Sequence, residues 1–135
     1  MNYNKSLVAV GWVCLGLNAL ACSSGRDVEV SGKITAPSSV TVGDKLAVDF
    51  LDVVGEGDTV EKSVAHSMEL QALGDFKETV ALEGDKVIVR AIDDRDDDGK
   101  CSAGEAWGET EADIVENKVE AVTLTLGTAP CPAEE

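Results

Sequence analysis

The feature that most constrains this chain is a series of short runs in which every second residue is apolar, separated by glycine and aspartate. Alternation puts residues i and i+2 on one face of a strand, so each run buries one side and leaves the other polar. Val28, Val30 and Ile34 share such a face, with Gly32 between them as a bulge or a close approach. In Lys45 to Asp52, Leu46, Val48 and Phe50 point inward and Asp49 outward. Val64, His66, Met68 and Leu70 follow on one face, then Phe76, Val80 and Leu82. The run from Lys86 to Ile92 is the richest in β-branched residues. Ala112 and Ile114 mark a short strand, and Val122, Leu124 and Leu126 a last one. Gly55-Glu56-Gly57-Asp58, Gly74-Asp75 and Gly84-Asp85 read as turns. The pattern predicts an all-β fold, a single antiparallel β-sandwich of about six to seven strands. Residues 60–72 and 109–120 also admit a helical reading.

One interruption carries chemistry. Asp94-Arg95-Asp96-Asp97-Asp98-Gly99-Lys100-Cys101-Ser102-Ala103-Gly104-Glu105 places carboxylates at positions 1, 3, 5 and 12 and glycine at 6. A hard cation needs six to eight oxygens, and three aspartates can converge on one ion only if the chain curls tightly. Gly99 permits that curl, and Glu105 is long enough to return with both oxygens. The stretch resembles an EF-hand calcium loop. The resemblance implies Ca2+ bound by Asp94, Asp96, Asp98 and Glu105, the backbone carbonyl of Lys100, and Ser102 directly or through water. It departs at position 8, where Cys101 stands for an aliphatic residue. The strand-like run before the loop and Gly108 after it argue against flanking helices, so the loop is expected between β elements. The competing reading is a solvated acidic turn.

Residues 1–21 carry Lys5 and then an apolar stretch from Leu7 to Ala21, too short for a comfortable span and suited to a signal peptide. Leu17-Asn18-Ala19-Leu20-Ala21-Cys22-Ser23-Ser24 resembles the lipobox of bacterial lipoproteins, with Ala19 where leucine is commonest. The resemblance implies cleavage before Cys22, lipid on Cys22, residues 22–26 as a tether, and a membrane anchor. Ser23 after the cysteine implies the outer membrane. Ordinary signal-peptide cleavage is the alternative. Loss of Lys5 leaves ten basic against twenty-six acidic residues, a formal charge of −16. That balance argues against nucleic acid as a partner and suits a domain that attracts cations.

Cleavage would remove Cys14 and lipidation would occupy Cys22. Cys101 and Cys131 then remain in an oxidising compartment, and a disulfide between them is expected, with two free thiols as the alternative. The bond would tie the C-terminal tail to the middle of the acidic loop. Residues 27–135 form the expected domain. Val28-x-Val30-x-Gly32-x-Ile34, Gly74-Asp75-Phe76 and Gly84-Asp85-Lys86-Val87-Ile88-Val89-Arg90-Ala91 look like a transthyretin-like or carboxypeptidase-regulatory-like sandwich. That resemblance implies a fold more than an activity.

Other chemistries find little support. A Ser-His-Asp hydrolase needs a base beside its nucleophile, and His66, the one histidine, has no nucleophile-elbow motif around it. His66 and Met68 make a poor copper site by themselves. Paired-carboxylate hydrolysis and sugar stacking lack an aromatic platform, since residues 22–135 hold only Phe50, Phe76 and Trp107. Trp107 reads as an anchor for the loop or as a recognition residue beside the ion. The expected protein is a non-enzymatic, membrane-anchored lipoprotein with a calcium-stabilised sandwich. The alternatives are a calcium-dependent adhesin or accessory subunit with an unknown protein partner, and a metal-dependent enzyme using the acidic cluster.

Overall fold

The computed structural model describes residues 25–132. The signal segment, the junction at Cys22 and residues 133–135 lie outside the described residues. Seven strands build two sheets: β1 (Arg26–Thr35), β2 (Leu46–Val54), β3 (Glu61–Leu70), β4 (Gly74–Leu82), β5 (Lys86–Asp93), β6 (Trp107–Asp113) and β7 (Lys118–Thr125). One sheet has the order β4-β1-β7 and the other β3-β2-β5-β6.

The alternating residues meet between the sheets. Val28, Val30, Ile34, Leu46, Val48, Phe50, Val87, Val89, Leu124 and Leu126 are at most 1% exposed. Phe50 stands at the centre, with Phe76 edge-on to it at 6.1 Å between ring centroids. β5 is buried on both faces: Val87, Val89 and Ala91 join the main core, while Ile88 packs on the outer face with Leu51 and Val53. That double burial explains why apolar residues fill both phases of the strand around Arg90, which pairs with Glu109 at 2.8 Å.

Four findings depart from the sequence expectation. The sandwich is antiparallel except for one pair, because β7 runs parallel to β1. A period of two is the same for both directions, so the pattern could not distinguish them. Residues 60–72 and 109–120 are not helical; they hold β3, most of β6 and the start of β7. The strand expected at Ala112 and Ile114 begins earlier, at Trp107. Val64 does not share the face of His66, Met68 and Leu70. Phe50 pairs with His66 but Leu51 pairs with Val64, so Ala65 is an extra residue and the bulge turns Val64 to the outside, 57% exposed. The bulge, Lys62 and Glu61 also make β3 a poor template for edge-to-edge pairing.

Gly32 is a close approach. A Cβ there would stand 2.2 Å from the Val122 carbonyl oxygen. The register between β1 and β7 slips at this point, and the extra residue lies on β7, where Ala121 has φ 60°.

The inward phase ends in an acid on two strands. Asp52, 6% exposed, closes one end of the core, and its two oxygens accept the Glu83 and Gly84 amides at 2.8 and 2.9 Å. Arg26 donates to the Gly84 carbonyl at 3.0 Å, so the β4–β5 turn is held from both sides. Asp52→Ala would leave two amides of the turn without acceptors. The expected loss is about 2–3 kcal/mol in urea unfolding, against near-neutrality for a carboxylate that only meets solvent.

Candidate metal centre

At the opposite end of the core β5 ends in Asp93, 1% exposed. The chain then forms the hairpin connection to β6. Its base is closed by the Asp93 amide on the Ala106 carbonyl at 2.8 Å, and the Asp94 amide reaches the Lys45 carbonyl at 3.1 Å. The acidic loop therefore sits between antiparallel neighbours in one sheet, as its flanking residues predicted.

Side chains of the first half divide by role. Arg95 turns back to Asp93 Oδ2 at 2.9 Å and to the Thr41 carbonyl at 2.7 Å. Asp93 Oδ1 accepts the Gly43 amide at 3.2 Å. Asp97, with φ 61°, takes Lys45 Nζ at 2.6 Å. That hydrogen bond is the main reason the Lys45 ammonium is held above its usual range. These contacts pin the loop to the end of β5 and to the segment that leads into β2, and leave Asp94, Asp96 and Asp98 free to converge.

They do converge. Carboxylate oxygens of Asp94, Asp96, Asp98 and Glu105 all lie within 4.8 Å of one another. Asp94 and Glu105 are buried, while Asp96 and Asp98 are exposed. The polypeptide itself shapes the cluster. Asp94 accepts the amides of Asp98 at 3.2 Å and Gly99 at 2.9 Å. Glu105 Oε1 accepts the Ser102 amide at 2.7 Å, and Oε2 the Arg95 amide at 2.7 Å. One side chain thus staples both halves of the loop. Gly99 has φ 73°, the left-handed turn that its position requires. Ser102 Oγ is 3.0 Å from Asp96 Oδ2 and 3.4 Å from Asp98 Oδ2, at the rim of the cluster. Lys100 donates its amide to Asp98 Oδ1 at 2.8 Å; its carbonyl is the atom that the spacing assigns.

This acidic group could hold a metal ion. Oxygens that share one divalent cation stand at most about 4–5 Å apart, and the four carboxylates meet that limit.

The tail closes the site from the side. Cys101 and Cys131 form a disulfide with Cα atoms 5.7 Å apart. Trp107 exchanges both backbone hydrogen bonds with Gly127, at 3.0 and 2.9 Å, and its indole N–H donates to the Ala129 carbonyl at 2.9 Å. Trp107 is thus an anchor for the tail rather than for the loop directly. Comparison with protein-family models, curated proteins and solved structures finds no match for this chain.

His66 lies on edge strand β3, and its Nε2 is 3.1 Å from Glu78 Oε2 on β4, so the pair bridges the two sheets. The hydroxyl of neighbouring Ser67 donates to Asp49 Oδ1 at 2.6 Å. Sequence reasoning missed the roles of Asp52, Asp93 and Glu78. The available signal was phase: Asp52 and Asp93 continue the inward alternation of Val48-Phe50 and Val87-Val89-Ala91, where an acid needs a buried partner.

Proposed function

We propose that the chain is an exported bacterial lipoprotein, anchored in the cell envelope by lipid on Cys22, whose sandwich carries a structural calcium ion and acts as a non-enzymatic structural or binding module. The carrying observation is the convergence of Asp94, Asp96, Asp98 and Glu105 within 4.8 Å on a loop shaped by its own amides. The Lys100 carbonyl and Ser102 complete the oxygen set. The all-oxygen donors and a long carboxylate at position 12 favour calcium over softer metals. The lipobox-like junction before Cys22 supports the anchor, and the Ser23 that follows supports the outer membrane.

With a dissociation constant near the weak end common outside cells, ~0.1 mM, millimolar calcium adds about 1.4 kcal/mol. That magnitude suits order in the loop better than sensing. It corresponds to a melting temperature higher by about 5–10 °C. The test is a titration in metal-stripped buffer, followed by melting temperature, with magnesium and Asp96→Asn as controls. No response at several millimolar calcium would reduce the stretch to an acidic turn.

A second reading, a calcium-dependent adhesin or accessory subunit, draws on one observation. Beside Gly99, Lys100 and Cys101 lies a groove of about 210 Å³ floored by Leu51 and Ile92 and edged by Val64 and Lys62. A protein partner seated there would be released by chelator. Retention of the partner in chelator would remove the loop from that interface.

A further inference from the structure

We infer that the redox state of the Cys101–Cys131 pair sets how tightly the 94–105 loop holds its cation. The inference rests on the calcium reading above and adds a regulator to it. Arg95, Asp97 and Asp94 tie the first half to Thr41, Lys45 and Asp93. In residues 99–104 the hydrogen bonds described above run within the loop, to Asp94, Asp98, Asp96 and Glu105. The disulfide is the covalent tie of this half to the rest of the molecule. Its far end is itself fixed, because Trp107 holds Gly127 and Ala129.

Cys101 lies between Asp98 and Glu105, so the bond orders the segment that must carry Ser102 and the Lys100 carbonyl to the ion. In the oxidised chain that ordering precedes binding. In the reduced chain each binding event must supply it, against the mutual repulsion of the exposed Asp96 and Asp98. A dithiol delivers two electrons and two protons to the S–S bond, giving the Cys101 and Cys131 thiols and a cyclic disulfide of the reductant. Coupling between two such sites is reciprocal: whatever factor reduction removes from calcium affinity, calcium adds to the resistance of the disulfide.

The experiment is a calorimetric calcium titration of the full chain in nonionic detergent, oxidised and after dithiothreitol reduction under argon. Reduction is expected to raise the dissociation constant about tenfold. Cys131→Ser is expected to show the weak value with and without reductant. The reciprocal measurement is the thiol–disulfide equilibrium of the oxidised chain against dithiothreitol. Calcium is expected to shift it by the same factor in wild type and not in an Asp96→Asn, Glu105→Gln variant. Equal affinity in both redox forms overturns the linkage and leaves the calcium reading standing. No binding in either form overturns both. Loss of strand circular dichroism on reduction also overturns a local linkage, because the whole sandwich would then depend on the bond.

Discussion

Glu105→Gln is expected to abolish the calcium-dependent rise in melting temperature while moving the ion-free melting temperature little. Two effects of similar size oppose each other without the ion. The amide loses charged hydrogen bonds to the Arg95 and Ser102 amides, about 1.5–3 kcal/mol each at most. It also removes one charge from a group of four carboxylates within 4.8 Å. At that distance a pair repels by about 1 kcal/mol in water-like surroundings and ~3.5 kcal/mol at an effective dielectric constant of 20. Asp94 is the buried neighbour and Asp96 and Asp98 are exposed, so the relief and the loss nearly cancel. With calcium the balance breaks one way, since a bidentate anion has become at best a single neutral oxygen. Affinity is expected to fall on the order of a hundredfold, out of the millimolar window. Thermal melts with chelator and with 2 mM calcium (roughly twenty times the ~0.1 mM constant) read both halves of the expectation. A variant that still gains several degrees from calcium would remove Glu105 from the ligand set.

Phe50→Ala is expected to be the costliest substitution of the core, about 3–5 kcal/mol. Phe50 is fully buried, touches Phe76 from the other sheet and lies 5.9 Å from the His66 ring. Removing it opens a cavity whose walls are strands of two sheets, which cannot collapse without bending the β2–β5 pairing. A domain of this size commonly has only 5–15 kcal/mol in total, so the variant would be near its folding threshold. Val64→Ala, on the neighbouring strand but 57% exposed, is expected to change stability by less than ~0.5 kcal/mol. Urea unfolding followed by circular dichroism separates them. A Phe50→Ala cost below about 1 kcal/mol would mean that the interior is not packed around this ring.

The sequence was readable where one residue's environment is decided by its near neighbours. Val28, Val30, Ile34 and Leu46, Val48, Phe50 lie in strands flanked on both sides, so burial imprints a clean alternation. The acidic loop was readable for a related reason: its four converging carboxylates and the amides that shape them fall within twelve consecutive residues. Only the end of β6, at Ala112, was legible, because the strand buries little. Its outward Glu109, Glu111 and Asp113 alternate with Gly108, Thr110 and Ala112, which are small rather than strongly apolar. β3 was legible as a strand, but the side that Val64 faces was not, because the bulge at Ala65 breaks the period in mid-strand. Asp52 finds its amides at Glu83 and Gly84, and Asp93 finds Gly43. The parallel alignment of β1 with β7 is likewise a long-range fact, invisible to any window of the chain.

The direction of β1 has a consequence for reach. The strand starts at Arg26, beside Leu82, Gly84 and Asn117, and ends at Thr35, whose carbonyl accepts the Leu126 amide next to Gly127 and Trp107. The acidic loop leaves from that second end. Ten residues at about 3.3 Å each make roughly 30 Å. An anchor on Cys22 would enter at the first end. The sandwich would then stand on its N-terminal end as on a short stalk, with Asp96 and Asp98 at the summit. An ion held there would exchange with the medium beyond the headgroups, and a large molecule approaching from that side would meet the loop before it met the lipid.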